Sequence, residues 1–272
     1  MHYFMTPRQH GLGWLPDTPD QRDFTYRPLV VSPEQVVDLR PQFPPVYNQG
    51  RLGSCTAQAL AATFDFNRQL QGVPFMSPSR LFIYWNERDI EGTVDSDAGA
   101  MLRDGIKVLV KLGTPRESTW PYIIKKFAVK PPPIAYDEAE KSQALTYQRI
   151  MRPQGDGLND MLMCLNEGYP FVTGFALYQS FDTEAVAKTG IVPMPAMEEH
   201  ALGGHAVVVV GYDIDKEWFI CRNSWGEAWG DKGHCYMPFA YLESPELASD
   251  QWTIRSVETE LALKRREQNL LK

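Results

Sequence analysis

Apolar residues recur with two different spacings along the chain, and the change of spacing separates a helical first half from a strand-rich second half. Three- and four-residue steps that begin at Ser54 predict a helix closed by Gly72 and Pro74. The same spacing predicts further helices over Ser77–Arg88, Ala100–Leu112 and Leu158–Asn166. Short runs rich in Val, Ile, Phe and Tyr predict strands over Phe171–Leu177, Ala206–Tyr212, Glu217–Arg222 and Gly233–Pro238. Helices followed by strands predict an α+β fold with two segregated layers or lobes.

Two stretches interrupt this pattern. Residues 1–33 contain prolines and glycines that no helical period survives, so we predict an extended N-terminal arm anchored by Trp14, Phe24 and Tyr26. Burial of scattered aromatic side chains favours a packed segment, and the alternative is a short propeptide that blocks a site. Lys125–Lys141 contains three consecutive prolines and several charges, and we predict a surface connection between lobes.

Composition excludes several classes of protein. The chain has 272 residues, 43% of them hydrophobic, which is enough for one core or for two smaller lobes around a cleft. Its net charge of −7 and the lack of a basic run argue against a nucleic-acid partner. Apolar runs such as Ala206–Val210 are too short to cross a bilayer, so no membrane partner is expected. A monomer is the default expectation.

Cysteine content and the N-terminal sequence bear on the cellular compartment. Four cysteines are few for a secreted disulfide scaffold, and their spacings match no common zinc site, so no metal is predicted. The chain does not open with a basic start followed by an apolar stretch. We therefore expect a cytoplasmic protein, or one exported without a cleaved signal peptide.

Cys55 is the candidate nucleophile. It follows Gly53 and Ser54 at the start of the first predicted helix, where Ser54 can cap the first turn. The positive end of the helix dipole and the unpaired N–H groups there favour thiolate, which is the nucleophilic form. Position alone favours an inert buried cysteine.

Three further residues could complete a catalytic group. His205 follows two glycines and opens an apolar strand, so it can face a cleft. Asn223 can accept a hydrogen bond from an imidazole and fix its orientation, with Trp225 as a shield against water. Gln49 can donate to an oxyanion together with the Cys55 N–H. Each signal alone also fits an ordinary structural residue, whereas the ordered set favours catalysis.

Two other histidines compete with His205. His200 follows two glutamates on a predicted loop, and His234 precedes Cys235 on a predicted strand. Neither has the Gly-Gly-His-Ala-Val context. His205 is therefore the predicted base.

The ordered motifs resemble papain and the cathepsins. The residues that carry this resemblance are Gln49-Gly50, Gly53-Ser54-Cys55, Gly204-His205-Ala206-Val207 and Asn223-Ser224-Trp225-Gly226 with Trp229-Gly230. It extends from Val37 to about Leu242, and the Gly-Trp-Leu-Pro-Asp-Thr-Pro-Asp segment is similar to bacterial members. It implies a 1–33 extension and a 34–272 peptidase domain, with a helical lobe at about 45–125. A β-barrel-like lobe at about 126–245, with an N-terminal contribution, would form the other side of the cleft.

The resemblance also implies a function. A Cys55 thiolate and a His205 imidazolium would hydrolyse peptide bonds of a peptide or protein substrate through a thioester, with no cofactor. Asn223 would orient the histidine and Gln49 would stabilise the oxyanion. The residues implied in substrate binding are Ser96, Asp97, Ala98, Gly99, Ala206 and Trp225.

The chain departs from the family pattern at several positions. Leu52 and Ser96 stand where the family has a disulfide, which suits a reducing compartment. Thr56 replaces the usual aromatic residue after the nucleophile. Only about thirty residues precede the mature-like start, so no large inhibitory pro-domain is expected. The resemblance also implies a second pocket that selects the substrate residue before the scissile one, with its floor at Leu247–Asp250. If Asp250 reached this pocket, a basic substrate residue would be favoured there.

Several alternatives stay open. The same thioester could be resolved by an amine, which would make the protein a peptide ligase or transpeptidase. A non-catalytic binding module on this fold is a third possibility. Cys164, Cys221 and Cys235 are expected to be apolar packing residues, and Cys221 and Cys235 could face each other across a hairpin.

Overall fold

The computed structural model describes residues 10–28, 32–150 and 157–257. Parts of the predicted N-terminal extension, residues 1–9 and 29–31, lie outside this range, as does the end of the predicted peptidase domain, residues 258–272. Residues 10–28 form the N-terminal arm.

Helices dominate the first half of the described chain, as the spacing predicted, and shorter ones follow in the second half. The bounds of the helices in both halves are α1 Cys55–Leu70, α2 Arg80–Glu91, α3 Leu102–Lys111, α4 Pro133–Ala139, α5 Gly157–Asn166, α6 Glu184–Thr189 and α7 Phe239–Glu243.

The strands form one large sheet and one separate two-stranded pair. Their bounds are β1 Trp14–Leu15, β2 Val36–Asp38, β3 Ala100–Met101, β4 Ala144–Arg149, β5 Phe171–Tyr178, β6 Ala201–Asp213, β7 Trp218–Arg222, β8 His234–Pro238 and β9 Ala248–Val257. The large sheet has the order β4-β9-β5-β6-β7-β8, all antiparallel, with β2 added to β6. The short pair is β1 and β3, which run parallel.

Helix α1 lies between the sheet and the other helices of the first half. It contacts β6 and β9 on one side and α2 and α3 on another, and residues 55–68 are all buried. Small and apolar residues such as Ala57, Leu60, Ala61 and Phe64 make burial on all sides possible. The helix therefore sits rigidly in the core and holds Cys55 at its N-terminus.

Strand β6 carries the candidate histidine toward α1. It pairs with β5 on one side and with β7 on the other, and it is buried from His205 to Tyr212. Its interior valines pack into the core on both faces, as expected for a strand covered by helices and loops. This central position fixes His205 at the junction of helix and sheet.

The α+β fold class and the main predicted elements are confirmed, with local corrections. Ser54 occupies the N-cap position but its hydroxyl bonds to Tyr122 instead of capping, because the tyrosine closes over that side of the helix. Phe24 is 64% exposed and is not an anchor, whereas Trp14 and Tyr26 are buried.

Two further element predictions differ from the structure. Helix α2 begins three residues later than Ser77, since Ser79 is the residue whose side chain caps it. The predicted connection Lys125–Lys141 contains α4. Ala100 and Met101 form β3 rather than the start of α3, because they pair with the N-terminal arm.

Candidate active site

The Cys55 thiol is enclosed at the N-terminus of α1. Its side chain is fully buried, and this burial raises the pKa of the thiol to about 12. The main-chain N–H groups of Ala206, Gly13 and Thr56 lie near the sulfur and act on its pKa in the opposite direction. Ala206 follows His205 on β6, so the thiol lies beside the strand that carries the histidine.

His205 is held by Asn223, as the sequence predicted for a catalytic pair. Its Nε2 lies 2.8 Å from Asn223 Oδ1, and its Nδ1 has no hydrogen-bond partner among the described residues. The Trp225 ring lies 4.9 Å from the imidazole and Phe175 meets it edge-on, so water is excluded from the bond. Burial lowers the pKa of His205 to about 4, which keeps the covered imidazole neutral.

Gln49 is fixed by hydrogen bonds at both ends of its amide. Its Oε1 accepts from the Ser224 hydroxyl at 2.6 Å, while its Nε2 donates to the carbonyl of Leu52 at 2.9 Å. The same Nε2 donates to the carbonyl of Gly11 at 3.0 Å. An amide donor thus points at a carbonyl that the N-terminal arm brings into the site.

The N-terminal arm runs through the site along its backbone. His10 stacks on Trp225 with ring centroids 4.6 Å apart, and the Gly13 carbonyl accepts from the N–H of Ala100 at 2.7 Å. A Cβ placed on Gly13 would lie 1.8 Å from the carbonyl oxygen of Gly53, so only glycine permits this approach. The sequence predicted an extended arm but not its path, although the closely spaced Gly11 and Gly13 are residues that allow close backbone contact.

Trp14 fills an apolar pocket between the arm and the large sheet. A Cβ on Gly174 would lie 1.9 Å from its indole, and a Cβ on Gly204 would lie 2.1 Å from its carbonyl oxygen. The pocket therefore exists because β5 and β6 both carry glycine at these positions. Trp14 is 7% exposed, which makes it the principal apolar contact of this part of the arm.

The residues implied in substrate binding divide into two groups. Gly99, Ala206 and Trp225 lie against the arm or the thiol, as described above. Ser96 is exposed, and its main chain bonds to Thr93 and Arg88. No arm contact of Ala98, also exposed, is recorded among the described residues. Asp97 supports the site from outside, since its carboxylate accepts from the Gly53 N–H at 3.0 Å.

The rival histidines lie elsewhere. His234 is buried on β8, where its Nδ1 contacts the carbonyls of Asp231 and Lys232, and His200 is exposed. Within the described segments, neither histidine forms a hydrogen bond with Cys55.

The remaining cysteines behave as packing residues. Cys164, Cys221 and Cys235 are buried free thiols, and Cys221 lies directly opposite Cys235 in the register of β7 and β8. The expectation that these two face each other across a hairpin is therefore met without a bridge.

Two features near the site escaped the sequence reasoning. Thr56 donates to Glu87 on α2 at 2.9 Å, and burial raises the pKa of Glu87 well above its ordinary value. Asp250 is paired with Arg149 at 2.6 Å, which offsets the charge expected to attract a basic substrate residue. No local pattern signals either contact, because each joins elements far apart in the chain.

Comparisons with known proteins agree with this geometry. A family model described as papain family cysteine protease matches residues 33–249. An uncharacterized peptidase C1-like protein of Acanthamoeba polyphaga mimivirus is 39% identical over 91% of this chain and 87% of its own. Chymopapain of Carica papaya is 28% identical over 79% of this chain and 57% of its own.

A solved structure extends the likeness to three dimensions. The crystal structure of xylellain, a cysteine protease from Xylella fastidiosa, is 40% identical and superposes with a TM-score of 0.84, covering 92% of this chain and 98% of that one. Among the described segments, the helices are too short or too polar to span a bilayer. The predicted resemblance is confirmed, and the chain belongs to the papain family of cysteine proteases.

Proposed function

We propose that this protein hydrolyses peptide bonds with Cys55 as nucleophile, His205 as base and acid, Asn223 as the group that orients the imidazole, and Gln49 as oxyanion donor. The observation that supports this most is the 2.8 Å contact between His205 Nε2 and Asn223 Oδ1. It leaves Nδ1 as the ring nitrogen available for the thiol.

The reaction follows from the roles of these groups. The Cys55 proton moves to His205, and the thiolate attacks the substrate carbonyl. The Gln49 amide and the Cys55 N–H stabilise the negative oxygen of the tetrahedral intermediate. His205 then protonates the leaving amine, and water hydrolyses the thioester to release the second product. Substrate would run along Gly99 in place of the arm.

The covered site corresponds to a latent form. Burial raises the pKa of Cys55 and lowers that of His205, so both groups are neutral while the N-terminal arm is docked. Gly11 occupies the position in front of the Gln49 amide that a substrate carbonyl would need. Displacement of the arm would admit water and substrate together, and the thiolate–imidazolium pair would then be stabilised. The N-terminal arm thus acts as a short inhibitory segment.

Covalent labelling tests the assignment of the nucleophile. Wild type, Cys55→Ala and Cys164→Ala are incubated with an epoxysuccinyl peptide, and their intact masses are measured. One adduct is expected on wild type and on Cys164→Ala, and none on Cys55→Ala. Cys164 is the matched control because it is also a fully buried thiol.

Two outcomes would contradict the proposal. An adduct on Cys55→Ala would show that another residue is the reactive group. Peptide hydrolysis by purified Cys55→Ala near the wild-type rate would show that Cys55 is not the nucleophile. Product masses in the presence of an added amine distinguish hydrolysis from ligation, since a ligase would attach the amine to the acyl fragment.

A further inference from the structure

Two carboxyl groups meet where the N-terminal arm leaves the candidate cleft. Asp17 of the arm and Asp250 of β9 are 7% and 2% exposed, and the main-chain N–H of Asp17 donates to Asp250 Oδ2 at 2.8 Å. The Asp17 carboxyl accepts from the Arg103 N–H at 2.9 Å and from the Trp252 indole N–H at 2.8 Å. Only the docked arm brings Asp17 into this enclosed position.

The charged groups around Asp17 are already engaged with other partners. On β4, the Arg149 guanidinium binds Asp23 at 2.9 Å and Asp250 at 2.6 Å. On α3, the Arg103 guanidinium binds Asp23 of the arm. Asp17 therefore receives two uncharged N–H donors, while the negative charge of Asp250 lies beside it.

These surroundings favour the protonated form of Asp17. Burial and the neighbouring Asp250 raise the pKa of Asp17 from 3.8 to about 6, against smaller opposing contributions from its two N–H donors and from the Arg103 charge. In a released arm the same carboxyl is surrounded by water and has its ordinary pKa. Docking and protonation are therefore linked.

We propose that docking of the N-terminal arm takes up a proton at the Asp17–Asp250 pair, so that this pair holds the cleft closed more tightly in acid than at neutral pH. This inference rests on the proposed peptidase function, for which it supplies a form of regulation. It requires no cleavage of the chain, because the change is a reversible shift between docked and released arm.

The direction follows from linkage. Asp17 has a higher pKa in the docked form than in the released form, so its proton stabilises docking at low pH. That contribution is lost as pH rises through about 6. Between pH 5 and pH 7.5 the contribution of Asp17 to the docking equilibrium constant is expected to fall about tenfold. Wherever the docked form predominates, this contribution raises the activity that depends on the released arm by the same factor.

Kinetics of the full-length protein test this coupling. The kcat/KM of wild type and of Asp17→Asn is measured with one peptide substrate from pH 5 to pH 7.5. Asparagine has nearly the same shape but does not titrate, so the ratio of wild type to variant cancels the titration of Cys55 and His205. The ratio is expected to rise about tenfold over this range.

Asp20→Asn is the matched control. Asp20 belongs to the same arm, but its carboxylate is bound to Arg22, which holds its pKa well below its ordinary value. It therefore stays ionised throughout the range, and the ratio of wild type to Asp20→Asn is expected to be independent of pH. A ratio for Asp17→Asn that is equally flat would overturn the proposed coupling.

Amide hydrogen exchange supplies a readout that needs no catalysis. The N–H of Ala100 bonds to the Gly13 carbonyl, so its protection reports the docked arm directly. The ratio of this protection in wild type to that in Asp17→Asn, each corrected for intrinsic exchange, should fall about tenfold from pH 5 to pH 7.5. The ratio is used because burial lowers the pKa of His10, another group of the arm, whose titration acts equally on both proteins. A ratio that falls with pH without any peptide hydrolysis would support the coupling and refute the peptidase proposal. Hydrolysis with a constant ratio would refute the coupling alone.

Discussion

At the scale of single residues, the candidate site combines fixed orientation with suppressed charge. Asn223 and Ser224 set the positions of His205 and Gln49 through hydrogen bonds of 2.8 and 2.6 Å. The buried thiol and imidazole are nevertheless both neutral in the covered site. In the proposed mechanism, the side chains already have their catalytic geometry while the arm is docked, and release of the arm would change only their charge states.

Replacement of Gln49 tests its role as oxyanion donor. Because the amide also binds Gly11 of the arm, the change is made in the Trp14→Ala background, in which the arm no longer competes. Gln49→Ala is expected to lower kcat by about 100- to 1,000-fold, the usual effect of losing one such donor. The measurement is steady-state kinetics with a saturating peptide substrate.

An exposed glutamine provides the control for this change. Gln35 bonds to Asp215 far from the site, so Gln35→Ala should leave kcat unchanged. A kcat for Gln49→Ala within about threefold of its background would show that the oxyanion is stabilised by other groups.

At the scale of elements, the sequence predicted the helices and strands that are determined by their own apolar spacing. Helix α1 and strand β6 are of this kind, and they carry Cys55 and His205 as the sequence motifs predicted. Strand β9 was missed because its polar residues, such as Gln251 and Thr253, are buried by pairing with β4 and β5 rather than patterned for a solvent face. The path of the arm was missed for the same reason, since it depends on glycines in other elements that leave room for it.

Trp14 is the residue of the arm whose side chain we expect to contribute most to the free energy of docking. Truncating a buried aromatic residue removes about 3 kcal/mol or more, which corresponds to about 100-fold in the docking equilibrium. Trp14→Ala should therefore raise kcat/KM toward peptides by up to about 100-fold. Leu15→Ala is the matched control, since the neighbouring side chain is 37% exposed on the other face of β1.

The comparison of these two variants separates docking from general damage. Equal kinetics for wild type and Trp14→Ala would mean that the arm does not restrict access to the cleft. Equal activation by Leu15→Ala would mean that any disturbance of β1 opens the site, and that the Trp14 pocket has no special part in it.

At the scale of the whole molecule, the arm joins the two sides of the cleft. Gly11 and Gly13 contact the segment that precedes α1, whereas Trp14 packs on β5 and β6 and Asp17 binds beside β9. Docking therefore adds contacts between the helical part and the sheet. The same contacts should couple the stability of the fold to inhibition by the arm, because a state that loses them has a lower free energy of unfolding and an accessible cleft.

A substitution at Gly13 tests this coupling between stability and latency. In Gly13→Ala the new Cβ would overlap the Gly53 carbonyl, a main-chain group that cannot move aside, so the arm must leave the cleft. We expect kcat/KM to rise and the unfolding temperature to fall by several degrees, since about 1 kcal/mol corresponds to roughly 2–4 °C in a protein of this size. Gly72→Ala is the control, because Gly72 has φ +75° and open space around it, so alanine there costs stability through backbone strain without touching the arm. If both variants lose stability but only Gly13→Ala gains activity, activation comes from release of the arm. A gain of activity in Gly72→Ala as well would mean that loosening the molecule is sufficient, and that the arm is not a specific latch.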